Sequence, residues 1–364
     1  TVVEIGGPWM EAGGLDLLGV VCGSEGQLGV VTEATLRILP KPEGARPVLV
    51  GFDSNDVAGA CVSDIIKAGI LPVAIEFMDR PCIRATEAFA KAGYPDCEAL
   101  LIIEVEGSPA EIDEQLARIK AIALSHNPVE FREAADEDQA KRIWLGRKSA
   151  FGAMGQMGDY ICLDGTIPVS ELAHVLRRIS ELTASYGLRV ANVFHAGDGN
   201  MHHILLFDER DADQVRRVME ASHEILDTCL KLGGSVTGEH GIGVEKIDFM
   251  PKLFTPDDLM AMTRVRQAFN PTGLCSPGKM LPTAGACAEP SSAPRQTKPG
   301  RRAARTLASA SRAVRLPGRA RRLRRPARAG RQLAVSRRSA AHRCPQPAAG
   351  LAPGRRLRHL AQAR

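Results

Sequence analysis

Between Arg46 and His203 the chain alternates short runs of strand-type residues with longer stretches whose apolar positions recur at helical spacing. PVLVGF (47–52) reads as a strand before a helix near 55–69, and PVAIEFM (72–78) as a strand before another helix. LLIIEVEG (100–107) reads as a third strand. The segment after it is apolar at Ile112, Leu116, Ile119 and Ile122, one stripe of a helix.

VEFREA (129–134), YICLDGTIP (160–168) and LRVANVF (188–194) are further strand candidates. Leu172, Val175, Leu176, Ile179 and Leu182 form one helical stripe, and Val215, Val218, Ile225, Leu226 and Cys229 another. The expected fold is α+β, a mostly antiparallel sheet covered by helices on one face. The first forty residues differ: glycine-rich, with strand-like TVVEI and LGVVTEATLRILP, they read as the end of another domain.

Composition separates the body from its tail. The 364 residues carry a formal charge of +5, but residues 290–364 hold 21 Lys and Arg and no acid, leaving 26 basic against 42 acidic groups before them. The body is therefore acidic. The tail lacks Phe, Tyr, Trp, Ile and Met, buries too little apolar surface to offset its ordering entropy, and is expected to be disordered. After Thr283 it is dominated by Arg, Ala, Pro, Leu and Gly, as in GC-rich DNA read in a shifted frame. Without aromatic interleaving or a nucleic-acid module, nucleic acid is not an expected partner.

The nine cysteines have no CxxC pair and no scaffold-like density, so they read as reduced thiols, mostly buried. No run reaches the roughly 18 apolar residues of a membrane helix, and residues 1–30 lack the layout of a secretory signal. The expected compartment is the cytoplasm.

The chemistry concentrates in FHAGDGNMHH (194–203), which gathers three of only nine histidines. Asp198-Gly199 fits the centre of a two-residue hairpin turn, and that register sets His195 opposite His202 and Val193 opposite Ile204. Opposed residues bring Cβ atoms to about 4.5–5.5 Å, close enough for two imidazoles to share one divalent ion. Gly197 and Gly199 leave room beside them, and His203 points to the other face. The alternative is a hairpin whose histidines bond only their neighbours.

A third donor shifts the balance. After a helix ending near Lys231, SVTGEHGIGVEK offers Glu239 between Gly238 and Gly241. Two histidines and a carboxylate with open positions suit catalytic zinc, manganese or iron, and His240 is placed to act as a base. The alternative for this loop is a glycine-rich helix cap with a solvated Glu-His pair.

CGSEGQLGVVTEATLRILPKPE (22–43), NVFHAGDGNMHH (192–203), GGSVTGEHGIGVEK (233–246) and FNPTGLCSPGK (269–279), with DYICLDGTIP (159–168) and IWLGRKSAF (143–151), resemble the FAD-linked 2-hydroxy-acid dehydrogenases of the vanillyl-alcohol-oxidase fold. Within that family the match resembles the flavin subunit of bacterial glycolate oxidase most, with D-lactate dehydrogenase as the alternative. The resemblance implies an FAD-domain remnant over 1–43, a ferredoxin-like antiparallel-sheet substrate domain over 44–283 and the basic tail over 284–364. Most of the FAD domain is then expected to lie upstream of Thr1.

It also implies roles. His195, His202 and Glu239 would bind the divalent metal, His240 would take the hydroxyl proton, and Arg147 would pair with the substrate carboxylate. Otherwise Arg147 is an ordinary helix-surface arginine. Gly23, Ser24, Glu25, Gly26, Leu28 and Gly29 would run along the FAD. Companion flavin-like and iron-sulfur subunits near the inner face of the membrane are implied as partners. A rival reading is an inactive fragment that binds only metal or nucleic acid. The chain departs from the family pattern at Gln27 (usually Thr), His203 (Pro), Val169 and Val244 (Arg) and Ser276 (Asn); the two missing arginines and Ser276 bear on substrate affinity and flavin contact, and none of the departures removes a proposed metal ligand.

Overall fold

Most helices begin where the sequence supplies an oxygen for the first free amides. Ser54 caps α2 (Asn55–Lys67), Asp79 caps α3 (Arg80–Ala90) and Asp136 caps α5 (Glu137–Gly155). Reciprocal capping boxes start α4 (Pro109–Ser125, Ser108 with Glu111) and α9 (Pro256–Phe269, Thr255 with Asp258). The other helices are α1 (Leu17–Val21), α6 (Leu172–Ser185), α7 (Ala212–Lys231) and α8 (Met250–Leu253). The computed structural model describes residues 2–6 and 14–282; the expectations about the tail, 284–364, lie outside the described residues.

The strands are β1 (Gly44–Phe52), β2 (Ala74–Asp79), β3 (Ala99–Gly107), β4 (Glu130–Glu133), β5 (Asp159–Cys162), β6 (Gly165–Thr166), β7 (Arg189–His195), β8 (Asn200–Met201) and β9 (His203–Phe207). They form one antiparallel sheet in the order β4-β1-β3-β2-β7-β8-β6, with β9 joining β7 to β5. The first four strands follow the ferredoxin-like order, and β7 extends the sheet from β2. That joint is fastened by Phe77 and Phe194, opposite in register, whose rings stack 4.7 Å apart at 14°. Such a pair contributes roughly 0.5–1.5 kcal/mol beyond its buried area.

Helices cover both faces of the sheet, which corrects the one-sided expectation. Val48, Val50, Phe52, Leu101 and Ile103 pack under α2, α4, α6 and α7. Leu49, Met78, Leu100, Ile102, Val193 and Ile204 pack against α3 and α5. The reason was visible in the strands themselves: VLV and LLII are continuous apolar runs, the pattern of a sheet buried on both sides.

Two other expectations change. YICLDGTIP is two short strands, because the chain kinks at Leu163-Asp164 and leaves β9 for β8. The strand-like stretches near the start are not strands among the described residues: Val30, Val31, Leu36, Ile38 and Leu39 are all exposed and find no sheet edge to pair with. Among the described residues, no helix is long and apolar enough to cross a membrane.

Candidate metal and hydroxy-acid site

The site grows from the β2–β7 joint. Register sets Glu76 opposite His195, on the sheet face covered by α3 and α5. There Glu76 Oε1 lies 2.9 Å from His195 Nδ1, and Glu76 Oε2 accepts from Arg147 Nε at 3.0 Å, with Arg147 Nη2 at the same distance in the ion pair. α5 comes close enough because residue 146 is glycine: a Cβ there would stand 2.3 Å from the Tyr94 ring. Arg147 is buried, so the helix-surface alternative does not hold.

The turn after β7 corrects the expected hairpin. A two-residue turn of the favoured type needs positive φ at both central residues, and only Gly199 has it, at +75°. Ala196 and Gly197 instead donate to the Ile75 carbonyl, Asp198 accepts from the Asn200 amide, and four residues, 196–199, make the bend. His195 is therefore opposite Asn200 rather than His202, and Ile204 is opposite Ala191 rather than Val193. The ladder has shifted by two residues. An even shift preserves the side-chain face, so His195 and His202 still converge, diagonally, with rings 5.3 Å apart. His203 lies on the opposite face, where Asn192 Oδ1 meets its Nδ1 at 2.5 Å.

The loop after α7 supplies the rest. Glu239 Oε1 lies 2.9 Å from His202 Nε2 and 3.9 Å from both His195 Nε2 and His240 Nε2. The His240 ring stacks on His202 at 5.2 Å and 12°. Three ring nitrogens thus surround one carboxylate oxygen, at separations that bracket the roughly 3.4 Å between ligands of a tetrahedral zinc with bonds near 2.1 Å.

Tautomers make the same point. His202 Nδ1 faces the Leu163 carbonyl at 3.3 Å, which can only accept, so the ring proton belongs there. Burial and the His195 charge hold the His202 pKa below its usual value, and with the ring proton on Nδ1 the Nε2 lone pair faces the Glu239 carboxylate. A cation between them would satisfy both groups. For His195, the hydrogen bond to Glu76 raises the pKa and likewise keeps the proton on Nδ1. Both histidines thus have their far nitrogen held by an acceptor, as metal-ligating histidines do.

Pattern reading missed two carboxylates. Glu76 lies inside a strand run and looks like core; burial raises its pKa, but the His195 bond and the Arg147 charge outweigh this and hold it below the usual carboxylate range. Asp164, in LDG, is fully buried. One oxygen each from Asp164 and Glu239 and one nitrogen each from His202 and His240 lie within 4.8 Å of one another. Asp164 also accepts bonds from Thr237, Gly238, Glu239, His240 and Lys246; His195 lies outside this group of four, its Nε2 3.9 Å from Glu239 Oε1. Asp164 was identifiable only as an acid beside a glycine.

The glycine-rich segment sits against this loop. Gly23 and Gly26 have φ of +76° and +70°, and a Cβ on Gly23 or Gly29 would meet nothing within 4 Å. The Glu25 carboxylate accepts from the amides of Ile242 and Gly243 at 2.7 and 2.9 Å, so it anchors the segment rather than facing outward. Ser24 and Leu28 are half-buried beside it. Gln27 donates to the Ser276 carbonyl and keeps a buried Oε1 with no donor among the described residues, an acceptor that a ring N–H of a bound cofactor would satisfy.

Residues 41–280 match the family of FAD linked oxidases, C-terminal domain. Over 289 residues the chain is 47% identical to glycolate oxidase subunit GlcD of Escherichia coli, covering 79% of this chain and 58% of that protein's length. It is 30% identical over 276 residues to the mitochondrial D-lactate dehydrogenase [cytochrome] of Arabidopsis thaliana, covering 75% and 48%. The fold resembles that of p-cresol methylhydroxylase, with TM-score 0.51, 15% identity, and coverage of 66% of this chain and 53% of that one.

Proposed function

The chain belongs to the FAD-linked oxidases through their C-terminal domain, and on that footing we propose that it serves the oxidation of a short 2-hydroxy acid, glycolate, to the 2-oxo acid glyoxylate. The observation that carries the reading is the convergence of three imidazole Nε2 atoms on one Glu239 oxygen. His195, His202 and Glu239 would hold a divalent zinc, manganese or iron ion, and the segment from Gly23 to Gly29 would lie along the FAD. When bound, the cation polarises the substrate hydroxyl as a Lewis acid and the flavin accepts a hydride.

The chain's own residues do the remaining work. His240 is half-exposed beside the ligands and takes the hydroxyl proton, while the C2 hydrogen leaves with its electron pair. Arg147 donates from Nε to Glu76 and holds Nη2 in the same ion pair, leaving Nη1 to face the substrate carboxylate. Its planar fork suits a carboxylate partner. D-lactate is the second substrate reading, favoured by the 30% identity to a D-lactate dehydrogenase; the two acids differ by one methyl, worth roughly 1–3 kcal/mol in a pocket. The name of the E. coli relative, a subunit, supports companion subunits; that these are flavin-like and iron-sulfur subunits at the inner face of the membrane is our reading from the family resemblance alone.

The test uses the full chain. Chelation should lower its melting temperature by about 5–10 °C, the effect of removing a ion present at roughly a hundred times its Kd. His202→Ala should weaken zinc binding more than about 100-fold and abolish dye-linked glycolate oxidation in protein loaded with FAD. A chain with no chelator response and no flavin absorbance would instead be an inactive fragment.

A further inference from the structure

The loop that presents Glu239 and His240 has six consecutive amides, residues 238–243, and each has a protein acceptor. Gly238, Glu239 and His240 donate to the Asp164 carboxylate at 3.1, 3.2 and 2.8 Å. Gly241 donates to Thr237 Oγ1 at 2.8 Å, and that hydroxyl in turn donates to Asp164 at 2.6 Å. Ile242 and Gly243 donate to Glu25. Five of the six amides are therefore held by two carboxylates and the sixth by a hydroxyl that one of them holds.

Asp164 is the inner and stronger of these two anchors. It is fully buried, and Lys246, itself buried, lies 3.4 Å from it as its counter-charge. Burial raises its pKa, but the Thr237 and His240 bonds and the Lys246 charge outweigh this and hold the carboxyl below its usual range. Charge-assisted bonds of this kind are about twice as strong as neutral ones. The same kink, Leu163-Asp164, also presents the carbonyl that meets His202 Nδ1. One two-residue bend thus touches three of the four groups at the candidate centre: His202 through a carbonyl, Glu239 and His240 through their backbone amides.

We propose that Asp164 is a positioning residue that sets where Glu239 and His240 point, and so sets the affinity and geometry of the divalent site. The proposal rests on the metal reading above. It acts through the loop: Oδ2 takes Thr237, Gly238, Glu239, His240 and Lys246 as donors and Oδ1 faces the Glu239 amide, so Asp164 orients the ligands through their backbone. Asparagine would replace one acceptor oxygen with an NH₂ pointed at the amides of the loop, and would leave the Lys246 charge buried alone. Groups of this kind around a metal ligand typically change affinity 10- to 100-fold.

The experiment is a titration of the chelator-stripped full chain with cobalt(II), read by the visible absorption of the bound ion. Near-UV circular dichroism is recorded on the same samples. Asp164→Asn is expected to keep its near-UV spectrum, bind cobalt about 10- to 100-fold more weakly, and shift the cobalt absorption band. Thr237→Val, which removes the bond to Asp164 and the one from the Gly241 amide but leaves the ion pair, should move both readouts the same way by less. If Asp164→Asn does not fold, the Thr237→Val result decides. Wild-type affinity and an unshifted band in a folded variant overturn the proposal. A wild-type chain that takes up no cobalt removes the metal reading, and this proposal falls with it; binding by wild type beside an unchanged Asp164→Asn removes only this proposal.

Discussion

Glu76→Gln is the substitution on which the site's architecture depends most directly. The Glu76 and Arg147 side chains are 8% and 10% exposed, and Glu76 is hydrogen-bonded to Arg147 Nε and His195 Nδ1 and ion-paired with Arg147 Nη2. Glutamine retains one acceptor oxygen and turns an NH₂ toward the remaining donors, so the Arg147 charge stays buried without a counter-charge. Breaking a buried pair from one side costs about 3–5 kcal/mol. At roughly 2–4 °C per kcal/mol for a domain of this size, the lower figure corresponds to a fall in melting temperature of about 6–12 °C.

The loss should depend on pH with a definite sign. The Glu76 hydrogen bond raises the His195 pKa, so that part of the stability is fully present below about 6.5, the ordinary histidine value, and is lost as pH rises through the raised folded value. Glu76 is held below the usual carboxylate range, so its part is present above about 4.3 and is lost as pH falls through the lower folded value. The variant should therefore differ most from wild type between about pH 4.3 and 6.5, and less near pH 9, where only the Arg147 pair remains. Thermal unfolding by circular dichroism, with chelator present, measures this. A loss under about 1 kcal/mol at both ends, or one that grows toward high pH, would refute the account of Glu76 as the shared partner of Arg147 and His195.

Two further substitutions probe the frame around the site. Asp79 is buried and caps α3 while accepting from Asn192 at 2.6 Å; burial, only partly offset by the Asn192 and Cys82 bonds, pushes its pKa up to about 7. The folded chain then keeps a proton that the unfolded chain releases near pH 4, so wild-type stability declines from about pH 4 to 7. Asp79→Asn keeps a capping oxygen, and between about pH 5 and 8 its stability relative to wild type should improve by on the order of 2 kcal/mol, read from melting curves; a difference constant with pH would count against the shifted value. Gly199→Ala places a Cβ 2.1 Å from the Ile167 carbonyl oxygen at a φ of +75°. It should lose more than about 3 kcal/mol in urea unfolding, and a loss under about 1 kcal/mol would mean that the bend rebuilds without positive φ.

Much of the frame was legible in local pattern. The strand of 47–52, the helix after it and the stripes that became α4, α6 and α7 are local periodicities, and tertiary packing buried the residues those periods singled out. Even the helices on both faces were written in VLV and LLII, runs without alternation. The early segment shows the limit: LGVVTEATLRILP has strand composition, but a strand needs an edge to pair with, and no described edge takes it. The donor residues were legible as residue types, and the parity of His195 and His202 survived an error in the turn because a shift of two keeps every side chain on its face.

What sequence alone determined, then, was which side chains are chemically able to serve and which face of the strand they occupy, since both follow from identity and a two-residue period. The folded structure decided the register and the partners. The bend after His195 is set by the Ile75 carbonyl, the glycine at 199 by the Ile167 carbonyl, and the ring protons of His195 and His202 by Glu76 and Leu163. Each of these groups is distant along the chain from the residue it controls. A spacing rule carries no information about such neighbours, because their positions are set only when the two sheet faces are buried and every enclosed donor has found an acceptor.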